Sequence, residues 1–215
     1  IAGGGVVGLA VGKELLVSNP KLKVVVIEKE KTLGFHASGR NSGVLHAGFY
    51  YSPDSLKAKF CREGNRELRE LCQRHSIPVI NTGKIVVAKN NTELNELEKL
   101  YLRGLQNDVK IELLEEKQLK EYEPYARTHQ RFLWSPTTGV SDPHAVIVGL
   151  SREFVDLGGT LIHSSLLEVK DNGRITINGE AVEFRHFVNC AGTQSDRIAQ
   201  KFNVGNEFTM MPFMG

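Results

Sequence analysis

The chain has 215 residues, 40% hydrophobic and 24% charged, with a formal net charge of +2. That length can bury a sizeable core in one or two domains, and the charge excess is too small to argue for nucleic acid or an anionic membrane as partner. No apolar run is long enough to span a bilayer, and three cysteines (Cys61, Cys72, Cys190) without metal-ligand spacing point to a reducing compartment rather than a disulfide framework.

The first readable element is a glycine turn. Gly3-Gly4-Gly5-Val6-Val7-Gly8 fits G-x-G-x-x-G, with glycines at 3, 5 and 8. In a nucleotide site the first glycine permits the tight turn out of a strand. The second lets the backbone approach a pyrophosphate, and the third lets the helix pack on the sheet. The helix expected from Val7 to Val17 would aim its free N–H groups and positive dipole end at the phosphates, and Gly12 would keep it close to the strands. Leu22 to Ile27 reads as a buried parallel strand. Glu28 ends it, twenty residues after Gly8, where a carboxylate accepts hydrogen bonds from ribose hydroxyls. An acidic residue there disfavours a 2′-phosphate, so FAD or NAD is preferred over NADP. A strand of about five residues should precede such a turn, yet the chain starts at Ile1-Ala2 and stops in the apolar run Met210 to Gly215. Both ends are therefore expected to be truncated.

Gly34 to Gly48 is a glycine-, serine- and asparagine-rich loop too long for a plain connector. Asp54 is the expected cap of a helix through His75, with Leu56, Phe60, Leu68 and Leu71 near helical spacing. Val79 to Ala88 reads as a strand. Thr92 to Gln106 reads as an amphipathic helix capped by Thr92, with a buried stripe of Leu94, Leu97, Tyr101 and Leu105. A short strand (111–114), a short helix ended by Pro124 and a strand at 131–134 follow. Asp142-Pro143 opens a helix that closes at Gly158-Gly159. Short strands are expected at 160–163, 166–170, 175–177 and 181–184, with turns at Asp171-Asn172-Gly173 and Asn178-Gly179. His186 to Cys190 reads as a buried strand, followed by Ala191-Gly192 and a helix from Ser195 to Phe202. The pattern divides the chain into a nucleotide-binding domain (1–78 and 140–204), an inserted lobe (79–139) and a return towards that lobe (205–215).

Residues 36 to 65 carry a resemblance. His36-Ala37-Ser38-Gly39-Arg40-Asn41-Ser42-Gly43-Val44-Leu45-His46-Ala47-Gly48 is followed by Tyr50-Tyr51, then by Ser55-Leu56-Lys57-Ala58-Lys59 and Cys61. This block resembles the L-2-hydroxyglutarate dehydrogenase/oxidase family, within the FAD-dependent D-amino-acid-oxidase-like superfamily. Thr82-Gly83-Lys84, Gly104-Leu105-Gln106-Asn107, Glu123-Pro124-Tyr125, Thr138 to Asp142, Cys190-Ala191-Gly192 with Ser195 to Ile198, and Pro212-Phe213 extend the match over nearly the whole chain. The resemblance implies an α/β fold: a Rossmann-like, glutathione-reductase-like FAD-binding domain with an inserted α+β substrate lobe, of which this is the N-terminal part. The implied cofactor is FAD, and the implied reaction is oxidation of L-2-hydroxyglutarate to 2-oxoglutarate. Electrons would pass on to a quinone, oxygen or another acceptor. Rival readings are another superfamily enzyme acting on an amino acid or glycerol 3-phosphate, a flavin-binding fragment without turnover, and, more remotely, an NAD-linked dehydrogenase.

The residues of the block support a cofactor role physically. Ser38, Arg40, Asn41 and Ser42 supply hydroxyl, guanidinium and amide donors suited to a pyrophosphate, and Gly39 and Gly43 let the backbone pass close. A helix dipole contributes only about 0.3–1 kcal/mol, whereas nanomolar binding needs roughly 12 kcal/mol, so a second loop is required beside the glycine turn. Glu28 with the adjoining Lys29, and Val6 and Val7 of the turn, complete the candidate cofactor set. The resemblance adds Ala191 and Gly192 as a second backbone contact and Leu167 as the residue whose backbone meets the adenine. Cys190 reads as a small core residue rather than a nucleophile.

His46 is the candidate for chemistry. Oxidation of a 2-hydroxy acid removes a hydride from C2 and a proton from the hydroxyl, and a neutral imidazole can take that proton near neutral pH. General base or substrate orienter, structural or flavin-contacting residue, and covalent flavin tether all stay open for it. A dicarboxylate needs cations or tyrosine hydroxyls at both ends, and Tyr50, Tyr51, Lys57, Lys59 and Lys84 are available. No metal site is expected. The implied location is cytoplasmic or inner-membrane-associated in a bacterium and mitochondrial in a eukaryote, with peripheral membrane association open.

Overall fold

A computed structural model describes residues 1–170 and 173–212. Asp171-Asn172 of the first expected turn, and the end of the chain from Phe213, lie outside the described residues. Helix α1 spans Val6–Ser18. Strand β1 is Val25–Ile27, shorter than expected because Leu22 turns back to the Asn19 carbonyl and is exposed. The glycine-rich loop contains a strand that periodicity did not show, β2 (Val44–Leu45).

Helix α2 (Leu56–Arg74) is capped by Ser55, whose hydroxyl accepts from the Ala58 N–H at 3.2 Å. Asp54 therefore lies one residue too early to be the cap. Leu56 and Phe60 are exposed, and the buried positions of α2 are Ala58, Leu71 and Cys72. The single strand expected at 79–88 is two, β3 (Val79–Ile80) and β4 (Lys84–Val87). Gly83, at φ +63°, breaks them apart, and a Cβ there would sit 1.7 Å from the Trp134 ring.

Helix α3 (Asn91–Gln106) is capped by Asn90, which accepts from Glu93 N–H at 3.0 Å, not by Thr92. Leu94 and Leu97 are buried as expected, but Leu105 is half exposed. Then come β5 (Glu112–Glu115), a 3₁₀ turn (Glu116–Gln118), α4 (Leu119–Tyr122), β6 (Arg131–Ser135) and β7 (Gly139–Ser141). Helix α5 (Pro143–Asp156) closes on Gly158 at φ +92°, with Gly159 N–H donating to the Phe154 carbonyl. Strands β8 (Thr160–Ile162), β9 (Leu167–Val169), β10 (Ile175–Ile177) and β11 (Glu180–Val182) follow, then α6 (Ser195–Gln200). Asn178 and Gly179 both have positive φ, as the tight β10–β11 hairpin requires.

By contacts the chain forms two units, one of residues 1–41 with the chain from Pro143 onward, the other Ser42–Asp142. The contact boundary falls at 42 rather than 79 because β7 pairs with both β2 and β3, which ties residues 42–78 into the second unit.

In the first unit β1 lies parallel to β8, and Ala2 bridges in parallel to both Ile27 and Asn189. The result is a parallel sheet nucleus with α1 packed on α5. Leu9, Leu16, Val26, Ile147 and Phe154 are its most enclosed apolar side chains. A Cβ on Gly12 would stand 2.8 Å from the Phe154 ring, so the two helices approach at that glycine. The strand expected at 186–190 is only a bridge at Asn189. His186 is exposed and 187–190 half buried, because among the described residues Ala2 is the sole ladder partner, on one side. Strands β9, β10 and β11 form a separate antiparallel sheet.

In the second unit the antiparallel sheet β4-β6-β5 packs against α3. Ala47, Phe49, Leu94, Leu97, Ile111 and Leu133 form its core.

Candidate functional site

The glycine turn is assembled by close backbone packing. Gly3, at φ +105°, would with a Cβ meet the Cys190 carbonyl oxygen at 2.3 Å and Ala191 Cα at 3.3 Å. A Cβ on Gly8 would stand 2.0 Å from the Gly3 carbonyl oxygen. Two glycines thus let the ends of two parallel segments and the start of α1 share one point, and they bring Ala191 and Gly192 beside the turn. Burial pushes the Cys190 thiol up in pKa, which favours its protonated form.

Helix α1 starts at Gly5, which has no side chain to cap it, and its first turn holds no acidic residue. The cap comes from a distant residue: Ser38 Oγ accepts from Val6 N–H at 3.0 Å. A Cβ on Gly5 would stand 2.8 Å from that oxygen, so glycine is what admits the hydroxyl. Glu28 is buried at the end of β1, with Oε2 accepting from Gly4 N–H at 2.8 Å and Oε1 from Glu30 N–H at 3.0 Å. Each carboxylate oxygen keeps a lone pair for a further donor. A helix start without an anion of its own, a hydroxyl beside it and an oriented carboxylate at the strand end fit the pyrophosphate and ribose of a dinucleotide.

The other cofactor candidates fall as follows. Lys29 is exposed and bonded to Glu30 at 2.7 Å. Glu30 also meets His36 at 2.9 Å, and Lys29 first, then His36, hold its carboxyl below the usual range. The Arg40 guanidinium lies 4.2 Å over the Phe35 ring. The Asn41 amide donates back to the Ala37 and Ser38 carbonyls, bracing the loop. Ser42 is exposed, and Gly43 adopts φ +67°. Val7 is exposed on the first turn of α1. Leu167 starts β9, two residues after Ser165, whose N–H donates to the Glu28 carbonyl.

In the second unit, the segment from Leu45 to Tyr51 alternates between anchored and presented residues. Ala47, Gly48 and Phe49 are buried, while His46, Tyr50 and Tyr51 are exposed. Lys84 lies 4.7 Å over the Tyr50 ring, and Lys57 lies 5.9 Å over the Tyr51 ring. Partial burial and, second, the Lys84 charge lower the His46 pKa, which favours the neutral, proton-accepting imidazole. The structure therefore gathers His46, Tyr50 and Lys84 into one group and Tyr51 with Lys57 into another. Lys59 is exposed on α2.

Sequence reasoning missed the side chains that hold this segment. Asn65 Nδ2 donates to the Leu45 and His46 carbonyls, both at 3.0 Å. Buried Asn107 donates to the Gly48 and Tyr51 carbonyls, and Arg103 donates to the Tyr50 carbonyl. For Asn65 the signal was a polar stripe on α2, with Arg62 and Arg69 at helical spacing beside it; Arg103 and Asn107 come from the end of α3. Among the described residues no three metal-ligating side chains cluster, and no helix is long and apolar enough to cross a membrane.

The model of one protein family, described as FAD dependent oxidoreductase, matches residues 1–215, and the chain belongs to that family. L-2-hydroxyglutarate dehydrogenase, mitochondrial, from Caenorhabditis elegans is 39% identical over 225 residues, covering 100% of this chain and 52% of the relative. The Homo sapiens protein of the same name is 35% identical over 232 residues, covering 100% and 50%. This chain thus spans about half the length of the curated relatives it matches. Among solved structures, FAD-bound L-alpha-glycerophosphate oxidase from Mycoplasma pneumoniae superposes with TM-score 0.75 at 25% identity, covering 93% of this chain and 55% of that one. L-proline dehydrogenase from P. horikoshii gives TM-score 0.83 at 18% identity, covering 95% and 55%, a likeness of fold alone. The fold is the α/β, Rossmann-like FAD-binding architecture that the resemblance implied, and FAD is the family's cofactor.

Proposed function

We propose that the enzyme containing this chain oxidises L-2-hydroxyglutarate to 2-oxoglutarate. The observation that carries the reading is the full-length coverage of this chain by L-2-hydroxyglutarate dehydrogenases at 35–39% identity. FAD, when bound, supplies the acceptor for a hydride from C2, and a quinone, oxygen or another acceptor takes the two electrons onward. The residues of this chain do the rest. Gly3, Gly5, Gly8, Val6 and Val7 with Ser38 would hold the pyrophosphate, and Glu28 would take the ribose hydroxyls. Lys29, Arg40, Asn41, Leu167, Ala191 and Gly192 would complete the part of the cofactor site that the first unit supplies.

His46 accepts the hydroxyl proton as C2 loses its hydride, so the neutral imidazole favoured by burial and Lys84 is the competent form. Tyr50 with Lys84 over its ring, and Tyr51 with Lys57 over its ring, bring a tyrosine and a cation together, and each pair suits one carboxylate of a dicarboxylate. For compartment, the relatives' names support a mitochondrial enzyme if the source is eukaryotic.

The test is anaerobic absorbance of the whole flavin-loaded protein. L-2-hydroxyglutarate should bleach the flavin band, and His46→Ala should retain the flavin while bleaching about 100-fold or more slowly, within the usual range for a lost general base. A wild-type band that persists with L-2-hydroxyglutarate, but bleaches with an amino acid or glycerol 3-phosphate, would overturn the substrate.

A further inference from the structure

The backbone around His46 is held by a relay that nothing in the proposed chemistry requires for binding. Arg69, half buried on α2, has each of its three nitrogens engaged. Nε donates to Asn65 Oδ1 at 2.9 Å, one terminal nitrogen donates to Asn81 Oδ1 at 2.7 Å, and the other donates to the Thr137 carbonyl at 2.7 Å. With its oxygen taken by Arg69, the Asn65 amide can point only its NH₂ at the loop. It gives one hydrogen to the Leu45 carbonyl and one to the His46 carbonyl, the two carbonyls that flank the His46 nitrogen and Cα. Both N–H donors and the oxygen of the Asn65 amide are therefore engaged, and the arrangement has one orientation. Gly139 leaves room for it, because a Cβ there would stand 2.9 Å from the Arg69 guanidinium.

We propose that Asn65, oriented by Arg69, is a positioning residue that fixes the backbone of His46 for proton transfer. The inference rests on the reading of His46 as the base. It also explains why a half-exposed asparagine sits in mid-helix, where its intrinsic propensity is poor. An exposed loop histidine would otherwise sample many positions, and proton transfer needs it held in one.

Two replacements in the whole flavoprotein test the idea. Asn65→Asp keeps an oxygen for Arg69 and loses both donors to the loop. Asn65→Ala loses everything but suits a helix better, so the two variants perturb folding differently while removing the same two bonds. The limiting rate of flavin reduction by L-2-hydroxyglutarate should fall about 10- to 100-fold in both, the scale of a displacement of about 1 Å. The substrate concentration giving half that rate should stay near the wild-type value, and flavin content should be unchanged. Hydrogen exchange at the amides of 46–51 should quicken about tenfold or more, since local opening sets that rate.

A wild-type limiting rate in Asn65→Asp overturns the proposal, as does a loss that tracks the melting midpoint of the two variants instead of being shared. Should wild-type protein itself fail to be reduced by L-2-hydroxyglutarate, the substrate reading falls, and the exchange measurement alone decides the relay. Unchanged exchange then overturns it.

Discussion

Gly8→Ala sets helix propensity against packing, and the structure decides the sign. In a helix interior the change favours folding by up to about 1 kcal/mol. Here the new Cβ would stand 2.0 Å from the Gly3 carbonyl oxygen and 3.2 Å from its carbon. Carbon–oxygen contacts settle near 3.3 Å or more, so α1 and Gly3 must separate by roughly 1 Å. The obstructing atom is backbone and cannot swing aside: Gly3 N–H is bonded to the Ile27 carbonyl at 2.9 Å, and the flanking Ala2 is tied to Val188. Overpacking of this kind costs about 1–3 kcal/mol, which exceeds the propensity gain.

The same displacement moves the α1 start from Ser38 and misplaces the N–H groups proposed to meet the FAD phosphates. The expected result is an FAD dissociation constant raised about 10- to 100-fold, equivalent to about 1.4–2.8 kcal/mol. The assay is titration of the whole apoprotein with FAD by flavin fluorescence, with thermal melting run beside it. Gly12→Ala is the control. Its Cβ would meet the edge of the Phe154 ring at 2.8 Å, which can yield, so melting should fall modestly and FAD affinity should hold. A Gly8→Ala protein that binds FAD as tightly as wild type would refute the reasoning.

Glu28→Gln leaves one acceptor where Gly4 N–H and Glu30 N–H now use two. A buried donor without a partner costs about 1–3 kcal/mol, and the same titration should show weaker FAD binding; equal affinity would remove Glu28 from the ribose. Lys84→Met removes the second of the two causes that hold His46 below its ordinary value. In wild type the rate of flavin reduction should fall on the acid side at a pH below about 6.5, and in the variant that fall should move to higher pH. An acid limb that does not move would show that the titrating group is not His46. The linked stability has the same sign: a lowered folded pKa favours the fold above the unfolded value, and the benefit is lost as pH falls through the folded one. His46 is mostly exposed, so the shift in melting should be small.

The glycine turn and its carboxylate could be picked out because their spacing along the chain is a pattern in itself, although Gly3 and Gly8 are required by backbone approach, Gly5 by the distant Ser38 hydroxyl and Glu28 by its place at a strand end. Helix ends were less legible. Ser55 and Asn90, not Asp54 and Thr92, cap α2 and α3. Adjacent polar residues all have capping chemistry, and only backbone geometry chooses among them. Gly83 split one expected strand in two because of a tryptophan ring far along the chain.

What the sequence alone determined is the groups available: a glycine turn, a donor-rich loop, a candidate histidine and nearby cations. Only tertiary structure decided which of these lie together. Ser38 caps a helix that starts 32 residues earlier, Lys84 comes to Tyr50 and His46 from β4, and Asn65 takes hold of the His46 backbone from α2. Hydrogen bonds and charges act over a few ångströms of space whatever the separation along the chain, so a pattern read along the chain can name these groups but cannot pair them.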